Sequence, residues 1–596
     1  MKKQKINNRQ QIEEMLENKQ SLNLGELLAV EAIHIKKRRK LKKQNPNIKE
    51  DSLGLALSGG GIRSATLCLG LVEEFNKVDL IQKADYLSSV SGGGYLASYI
   101  HSSLNNSNPT PYEKLFAQDK AIRHLRNYRK HLYIWPKCKP LSQFVLLLVA
   151  IEALICNWLW VILPAIFCCT ITPFGWSWYI ILGCLIVIPG VLFTPNFTSL
   201  HRYYKQRLKK AYLWPDKNIR LKDLQNHDAP YPLINATVHV DEDDYDTAAS
   251  ISYRGTINTN YFLFSPLYCG SQVTHYAKTD KSLYSKVSLA TAMATSAAAV
   301  NTFMGNMNLP IPLRWMMILA NLRTGYLAPS PFLTKWLPVF WPFYTYLEML
   351  GKAKTTSYKI QVSDGGHIEN LAVFELLRRQ VKTIIVIDGG QDNSFDFFDL
   401  RNLIIRARNE LGIAIEFDKN NGPLERIKPD LITGTSQSHF AVAKISGLKG
   451  SYTPNYEGVL VYIKSSILAT RVYKMRQLKK EVKALKNKVK ALEEEIKTLR
   501  KNVGTSGAEQ QQELKEKCKL LEQKRDELDH TMYRTYTPKF PHEPTANQFF
   551  SEEQWDAYYF LGKKIAKNIL AELELNKEDT RLDIYKKCSN YKSTVE

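Results

Sequence analysis

Two glycine turns hold the residue types from which nucleophilic chemistry can be built. The first, "SGGGIRS" (Ser58 to Ser64), follows the apolar run "LGLALS" and opens the helical text "IRSATLCLGLVEEFNKV". Three successive glycines leave backbone N–H groups unobstructed at a helix start, which makes an anion site. A phosphate loop of the Walker type would need Gly-Lys-Ser/Thr after its glycines, and none follows. A dinucleotide fingerprint would need glycine where Ser64 stands. An oxyanion hole, which stabilises charge on an attacked carbonyl, needs only the free N–H groups. The second turn, "SSVSGGGYL" (Ser88 to Leu96), sets Ser91 between strand text and helix text. It has the form of a nucleophile elbow, G-x-S-x-G, with Ser89 in place of the first glycine. In isolation such a serine is an ordinary helix cap. The anion loop one strand earlier turns the reading towards a nucleophile.

A nucleophilic serine needs a base. Two aspartates end apolar strand text, Asp364 in "IQVSDGGHIENL" and Asp388 in "TIIVIDGGQD". His367, His439 and His542 lie downstream, so composition does not exclude a Ser–His–Asp arrangement; none stands in a context that marks it as a base, and a structural role is preferred for each.

The glycine run with its following arginine, the serine elbow and the later Asp-Gly-Gly, in that order, resemble the patatin-like phospholipase family. Group-IV cytosolic phospholipases carry a similar loop. The resemblance covers about residues 50–100 and 285–395, and "FPHEPT" (Phe540 to Thr545) extends it towards the tail. It implies a Ser–Asp dyad with Ser91 as nucleophile and Asp364 as base. It also implies an oxyanion hole from Gly59, Gly60 and Gly61, and Arg63 as a support of that loop or of the lipid phosphate. No metal and no cofactor are implied. Asp364 is preferred to Asp388 because the family's Asp-Gly-Gly runs into an asparagine-containing turn and a helix, as in "DGGHIENLAVFELLRRQ". "LATAMATSAAAV" (Leu289 to Val300) resembles the family's "ATSAAP" helix without its proline. Ser89, the missing proline and the long insert between the dyad residues depart from the pattern.

Apolar strands alternating with helices require a sheet covered on both faces. The expected fold is α/β, a patatin-like three-layer sandwich with a mostly parallel central sheet. A transmembrane helical hairpin and a coiled-coil helical hairpin are expected to interrupt it. The boundaries read from the text are a basic helical arm over 1–45, catalytic parts over 46–134 and 197–465, and the membrane hairpin over 135–196. The coiled coil then covers 466–533, and a C-terminal segment over 534–596 packs on the catalytic domain. Residues 141–195 carry a single charge, Glu152, over a length that suits two spans about a "TPFGWS" turn. Basic residues flank both outer ends, so both ends face the cytoplasm. The polar N-terminus shows no signal-peptide core, and nine scattered cysteines have no metal spacing. From Met475 to Val503 apolar residues recur at alternating steps of three and four, a coiled-coil seam. "GTSG" (Gly504 to Gly507) breaks it, and a shorter seam resumes at Leu514; an intrachain antiparallel hairpin is preferred to pairing between chains.

A net charge of +23 implies an anionic partner surface. The basic runs, "KKRRKLKK" (Lys36 to Lys43) among them, point to anionic phospholipid. Nucleic acid is ranked last because the basic runs flank the expected membrane segments. Self-association or a protein partner is assigned to 466–533. Ser91 and Asp364 can meet only if the chain crosses the membrane an even number of times between them, so "PFLTKWLPVFWPFYTYLEML" (Pro331 to Leu350) is placed at the membrane surface. There Trp336, Phe340, Trp341, Phe343 and Tyr344 border a lipid entrance. The expected activity is a membrane-anchored phospholipase A-type acyl hydrolase. An acyltransferase using the same acyl-enzyme, and a membrane scaffold with a vestigial dyad, are the alternatives.

Overall fold

The computed structural model describes residues 19–591 apart from most of 156–193, the segments 134–140, 241–258, 302–309, 332–338, 351–356, 418–423, 469–474 and 503–511, and shorter gaps between. Thirteen strands join one sheet: β1 (Ser21–Leu22), β2 (Leu53–Leu57), β3 (Tyr86–Ser89), β4 (Tyr231–His239), β5 (Thr259–Phe264), β6 (Tyr268–Ser271), β7 (His275–Lys278), β8 (Tyr326–Pro329), β9 (Lys359–Asp364), β10 (Thr383–Asp388), β11 (Ile413–Phe417), β12 (Phe440–Gly447) and β13 (Glu457–Lys464). The helices that position the site or cover the sheet are α1 (Leu24–Leu41), α2 (Gly61–Lys77), α3 (Ser91–Leu104), α4 (Leu289–Ser296), α5 (Ile311–Leu319), α6 (Trp341–Met349), α7 (Met475–Asn502), α8 (Glu552–Glu572) and α9 (Arg581–Ser589).

Strand residues alternate between two apolar cores, because successive side chains of a strand point to opposite faces. Leu53, Leu55, Leu57, Ile385 and Ile387 enter the core beneath α2, α3 and α8. Ala56, Ile384 and Val386 enter the core on the other face, which α1 helps to cover. Both faces are buried, so the sheet is the middle of three layers.

The sheet is mixed rather than mostly parallel. Among the described pairings only β2–β3, β3–β4, β2–β10 and β10–β13 run parallel. The β4–β5–β6–β7 run and the β11–β12–β13 run are antiparallel. The reason is connection length: β5, β6 and β7 are separated by three-residue loops, and a parallel return needs a crossover of about a dozen residues. The parallel strands lie in the middle and align their C-terminal ends.

α8 crosses α2 at near backbone contact. A Cβ on Gly70 would stand 2.0 Å from the Tyr559 carbonyl oxygen. The seam of α7 buries Val482, Leu485 and Val489 against Leu528, and Lys517 pairs with Glu495 at 3.0 Å, so the two segments run antiparallel within one chain. The turn at 504–507 lies outside the described residues. Most of the expected membrane hairpin does too, and among the described residues no helix is long and apolar enough to cross a membrane.

Two expectations about surface residues are corrected. Arg38 and Arg39 turn inward from the basic run: Arg38 donates to the Ala84 and Asp85 carbonyls, and Arg39 pairs with Asp51 and Asp85 at 2.6 and 2.5 Å. Asp51 and Asp85 are buried and draw the two guanidinium groups in. Trp341 and Tyr344 are buried with Leu327, whereas Phe343 on the same helix is exposed. Their neighbour Trp336 lies outside the described residues.

Candidate active site

One strand edge brings Ser91 and Asp364 together. The first half of β4 pairs in parallel with β3, ending with Ile234 opposite Ser89. Its second half pairs antiparallel with β9, beginning with Ala236 opposite Asp364. The other edge of β4 is held by β5. β3 and β9 therefore lie end to end on the same edge, their C-terminal ends facing each other across Asn235. The Asn235 side-chain amide donates to the Ser88 hydroxyl at 2.9 Å and to the Ser89 carbonyl at 3.0 Å, which closes the gap between the strands.

Ser91 is the first residue of α3 and has a φ of +49°, a left-handed conformation that a serine adopts only when its surroundings impose it. Its N–H donates to Ser296 Oγ at 3.0 Å, and Ser296 Oγ in turn donates to the Asn235 carbonyl at 2.6 Å. The bend is thereby tied to α4 and to the β3–β9 junction. Gly92 permits the close approach that follows: a Cβ there would lie 2.0 Å from the Gly61 carbonyl oxygen, so the two glycine turns touch.

The Ser91 hydroxyl donates to Asp364 Oδ2 at 3.1 Å, and Oδ1 accepts the Gly366 N–H at 2.8 Å. Burial raises the Asp364 carboxyl above the ordinary aspartate range; the charge of His367 and the hydrogen bonds from Gly366 and Ser91 partly oppose this. Asp388, the other strand-end candidate, is held elsewhere. It accepts from Tyr462 and Lys464, each at 2.6 Å, and from the Gly390 N–H at 2.8 Å. The histidines also have other partners. His367 meets Ser363, His439 meets Ser466, and His542 accepts the Asp392 N–H while burial pushes its imidazole down to about 3.

The glycine loop lies beside Ser91, since a Cβ on Gly59 would stand 3.3 Å from the Ser91 Cβ. Its three members differ. The Gly59 N–H already donates to the Asn370 carbonyl at 2.8 Å and is not available to an oxyanion. Gly60, at φ +134°, and Gly61, at +61°, retain N–H groups with no partner among the described residues. Arg63 is buried and anchors the loop from behind. It donates to the Gly389 carbonyl at 2.9 Å, to the Glu543 carbonyl and to Thr545 Oγ1 at 3.0 Å. Of its two expected roles the geometry favours support of the loop. Gln548 completes the anchorage by accepting the Ile62 N–H at 3.3 Å, with its amide against Gly61.

Asn235, Ser296 and Gln548 escaped sequence reasoning. Ser296 lies in the "ATSAAP"-like text and Gln548 follows "FPHEPT", but nothing in "YPLINATVH" marks Asn235.

Neither the family models nor the curated proteins contain a match to this sequence. Among solved structures the chain is similar to human GIVD cytosolic phospholipase A2, with a TM-score of 0.48 and 12% identity over 94% of this chain and 64% of that one. The same human protein in complex with methyl gamma-linolenyl fluorophosphonate gives 0.43 at 12% identity, covering 93% of this chain and 63% of the other. With that inhibitor and terbium chloride it gives 0.41 at 11% identity, over 95% and 64%. This chain thus spans somewhat under two thirds of the human protein's length. No score reaches one half, so the roles of individual residues rest on the geometry given above.

Proposed function

We propose that this chain is a phospholipase A-type lipid acyl hydrolase acting through Ser91 and Asp364. The observation that carries the reading is the Ser91 hydroxyl, held at positive φ on a strand-to-helix bend, donating at 3.1 Å to a buried carboxylate. In the first step Ser91 Oγ bonds to the ester carbonyl carbon while its proton passes to Asp364. A carboxylate whose proton affinity is raised by burial is better matched to that task near neutral pH. The carbonyl oxygen takes up negative charge and is met by the Gly60 and Gly61 N–H groups, which Arg63 and Gln548 hold in place. The C–O bond breaks, the departing alcohol takes the proton back from Asp364, and the fatty acyl group stays on Ser91. Water then gives a proton to Asp364 and bonds to the acyl carbon; the bond to Ser91 Oγ breaks, Ser91 takes the proton back from Asp364, and the fatty acid leaves.

Membrane attachment belongs to the same proposal: the apolar tract 135–196 anchors the chain as a two-span hairpin, with the catalytic domain on the cytoplasmic side. Two surfaces support contact with lipid. Phe144, Leu147 and Ile155, in the described part of the tract, are exposed. So are Ile311, Trp315 and Met316 on α5 and Phe343 on α6, two helices tied together by the Trp315 indole donating to the Met349 carbonyl at 2.8 Å.

The test is fatty-acid release from mixed anionic phospholipid vesicles in the presence of a chelator, with fluorophosphonate labelling in parallel. Wild type should release fatty acid and label at Ser91, and Ser91→Ala should do neither. Release that survives Ser91→Ala would overturn the assignment.

A further inference from the structure

The opposite end of the parallel strands holds a second site. Ser52 precedes β2, Tyr86 begins β3, Lys382 precedes β10 and Tyr456 precedes β13. All four line one cavity of about 530 Å³, a size suited to a small-molecule ligand. α1 closes one side with Leu28, Ala32 and Lys36, which share a helix face at four-residue spacing. Ser91 and Gly59 follow the C-terminal ends of β3 and β2, Asp388 is the last residue of β10, and β2 alone spans about 17 Å at about 3.3 Å per residue. The cavity and the Ser91 site are therefore on opposite ends of the sheet.

Charge identifies the ligand. Five cationic residues line the cavity, and among the described residues that line it none is acidic. Two of the five are already neutralised: Arg379 pairs with Glu31 at 2.6 Å and with Glu375, and Arg378 pairs with Glu375. The other three, Lys36, Lys49 and Lys382, have no carboxylate partner among the described residues. They come from three separate elements, α1, the short helix Ile48–Asp51 and the approach to β10. Lys382 also holds its ammonium over the Tyr585 ring, 5.9 Å from the centroid, and three lysines lining one concave site with no acid beside them give it a positive potential that favours a multivalent anion.

We infer that this cavity binds a multiply phosphorylated anion, its phosphates taken by Lys36, Lys49 and Lys382. The three lysines line one cavity with no acid among its described lining residues, which suits a multivalent phosphate better than a single carboxylate. Such phosphates can come from a soluble compound or from a polyphosphorylated lipid headgroup.

The experiment uses the full chain and reads binding rather than hydrolysis. Inorganic tripolyphosphate is titrated calorimetrically into wild type, into the Lys36→Ala/Lys49→Ala/Lys382→Ala variant and into a comparator with Lys483→Ala, Lys486→Ala and Lys490→Ala on α7. The comparator removes the same charge from a remote place. Wild type and comparator should bind alike, and the cavity variant should lose about tenfold in affinity for each lysine contact removed. Lys49→Glu alone, at an exposed position, should weaken binding in the same direction with its melting temperature unchanged. A second arm measures sedimentation with phosphatidylcholine vesicles doped with phosphatidylinositol bisphosphate. Capture that falls in the cavity variant assigns the phosphates to a lipid headgroup; capture indifferent to the variant, with tripolyphosphate binding lost, assigns them to a soluble compound. No saturable tripolyphosphate binding to wild type, or equal loss in both triple variants, would overturn the site.

Discussion

Two strands of this sheet end in an aspartate followed by two glycines, and the two aspartates have opposite surroundings. Asp388 closes β10 against a lysine and a tyrosine hydroxyl, and its neighbour Gly389 gives its carbonyl to Arg63. Asp364 closes β9 with no lysine or arginine against it among the described residues; there its hydrogen bonds come from one backbone N–H and the Ser91 hydroxyl. A carboxylate paired with a cation is a strut, because its charge is already compensated. A carboxylate buried without that compensation retains its appetite for a proton, and among the described residues the side-chain hydroxyl that donates to it is that of Ser91.

The sharpest way to break this comparison is to neutralise each aspartate in turn. Asp364→Asn should lower fatty-acid release by about 10⁴-fold, as should Ser91→Ala, while Asp388→Asn should leave the rate per folded molecule within about tenfold. Comparable losses in both aspartate variants would erase the distinction. Stability should show the reverse order. Asp388→Asn leaves the buried Lys464 ammonium short of its nearest counter-charge and should cost about 3 kcal/mol in a denaturant titration.

Asp364→Asn should be neutral or stabilising at pH 7. The folded state holds the Asp364 proton more tightly than the unfolded chain does. Its favourable contribution is therefore full below the ordinary value near 3.8 and is lost as pH rises through the raised value. The same shift sets the pH profile of the reaction: the acidic limb of kcat/KM should have its midpoint above 3.8 and disappear in Asp364→Asn. The smallest effect is expected from Ser296→Ala. It frees the Ser91 N–H and the Asn235 carbonyl but touches no reacting atom, and should lower kcat about tenfold with KM unchanged.

The elements around the two turns were legible because their chemistry is local. Apolar runs ending in glycines announce buried strands that enter helices, and Ser91 and Asp364 stand at such endings. The antiparallel flanks were not legible. Strands such as "YCGS" and "HYAK" are four residues long and carry no periodicity that distinguishes them from loops. Asn235 was hidden for a different reason: it is one polar residue in an apolar strand, and its role exists only because two other strands stop beside it. The inward turn of Arg38 and Arg39 depends on Asp51 and Asp85, and the latter is forty-six residues beyond Arg39. Charge runs read along the chain cannot reveal such partners.

The end-to-end arrangement of β3 and β9 has a consequence for synthesis. The spacing between Ser91 and Asp364 is measured across β4 and not along the 273 residues that separate them, so that stretch of chain can change length without moving either side chain. The same geometry sets a clock. Ser91 is made first, Asp364 well after it, and the strap that steadies Gly61 and Ile62 only at Gln548. A reaction that needs Ser91, Asp364 and the Gln548 strap together cannot begin until the chain has been made through Gln548.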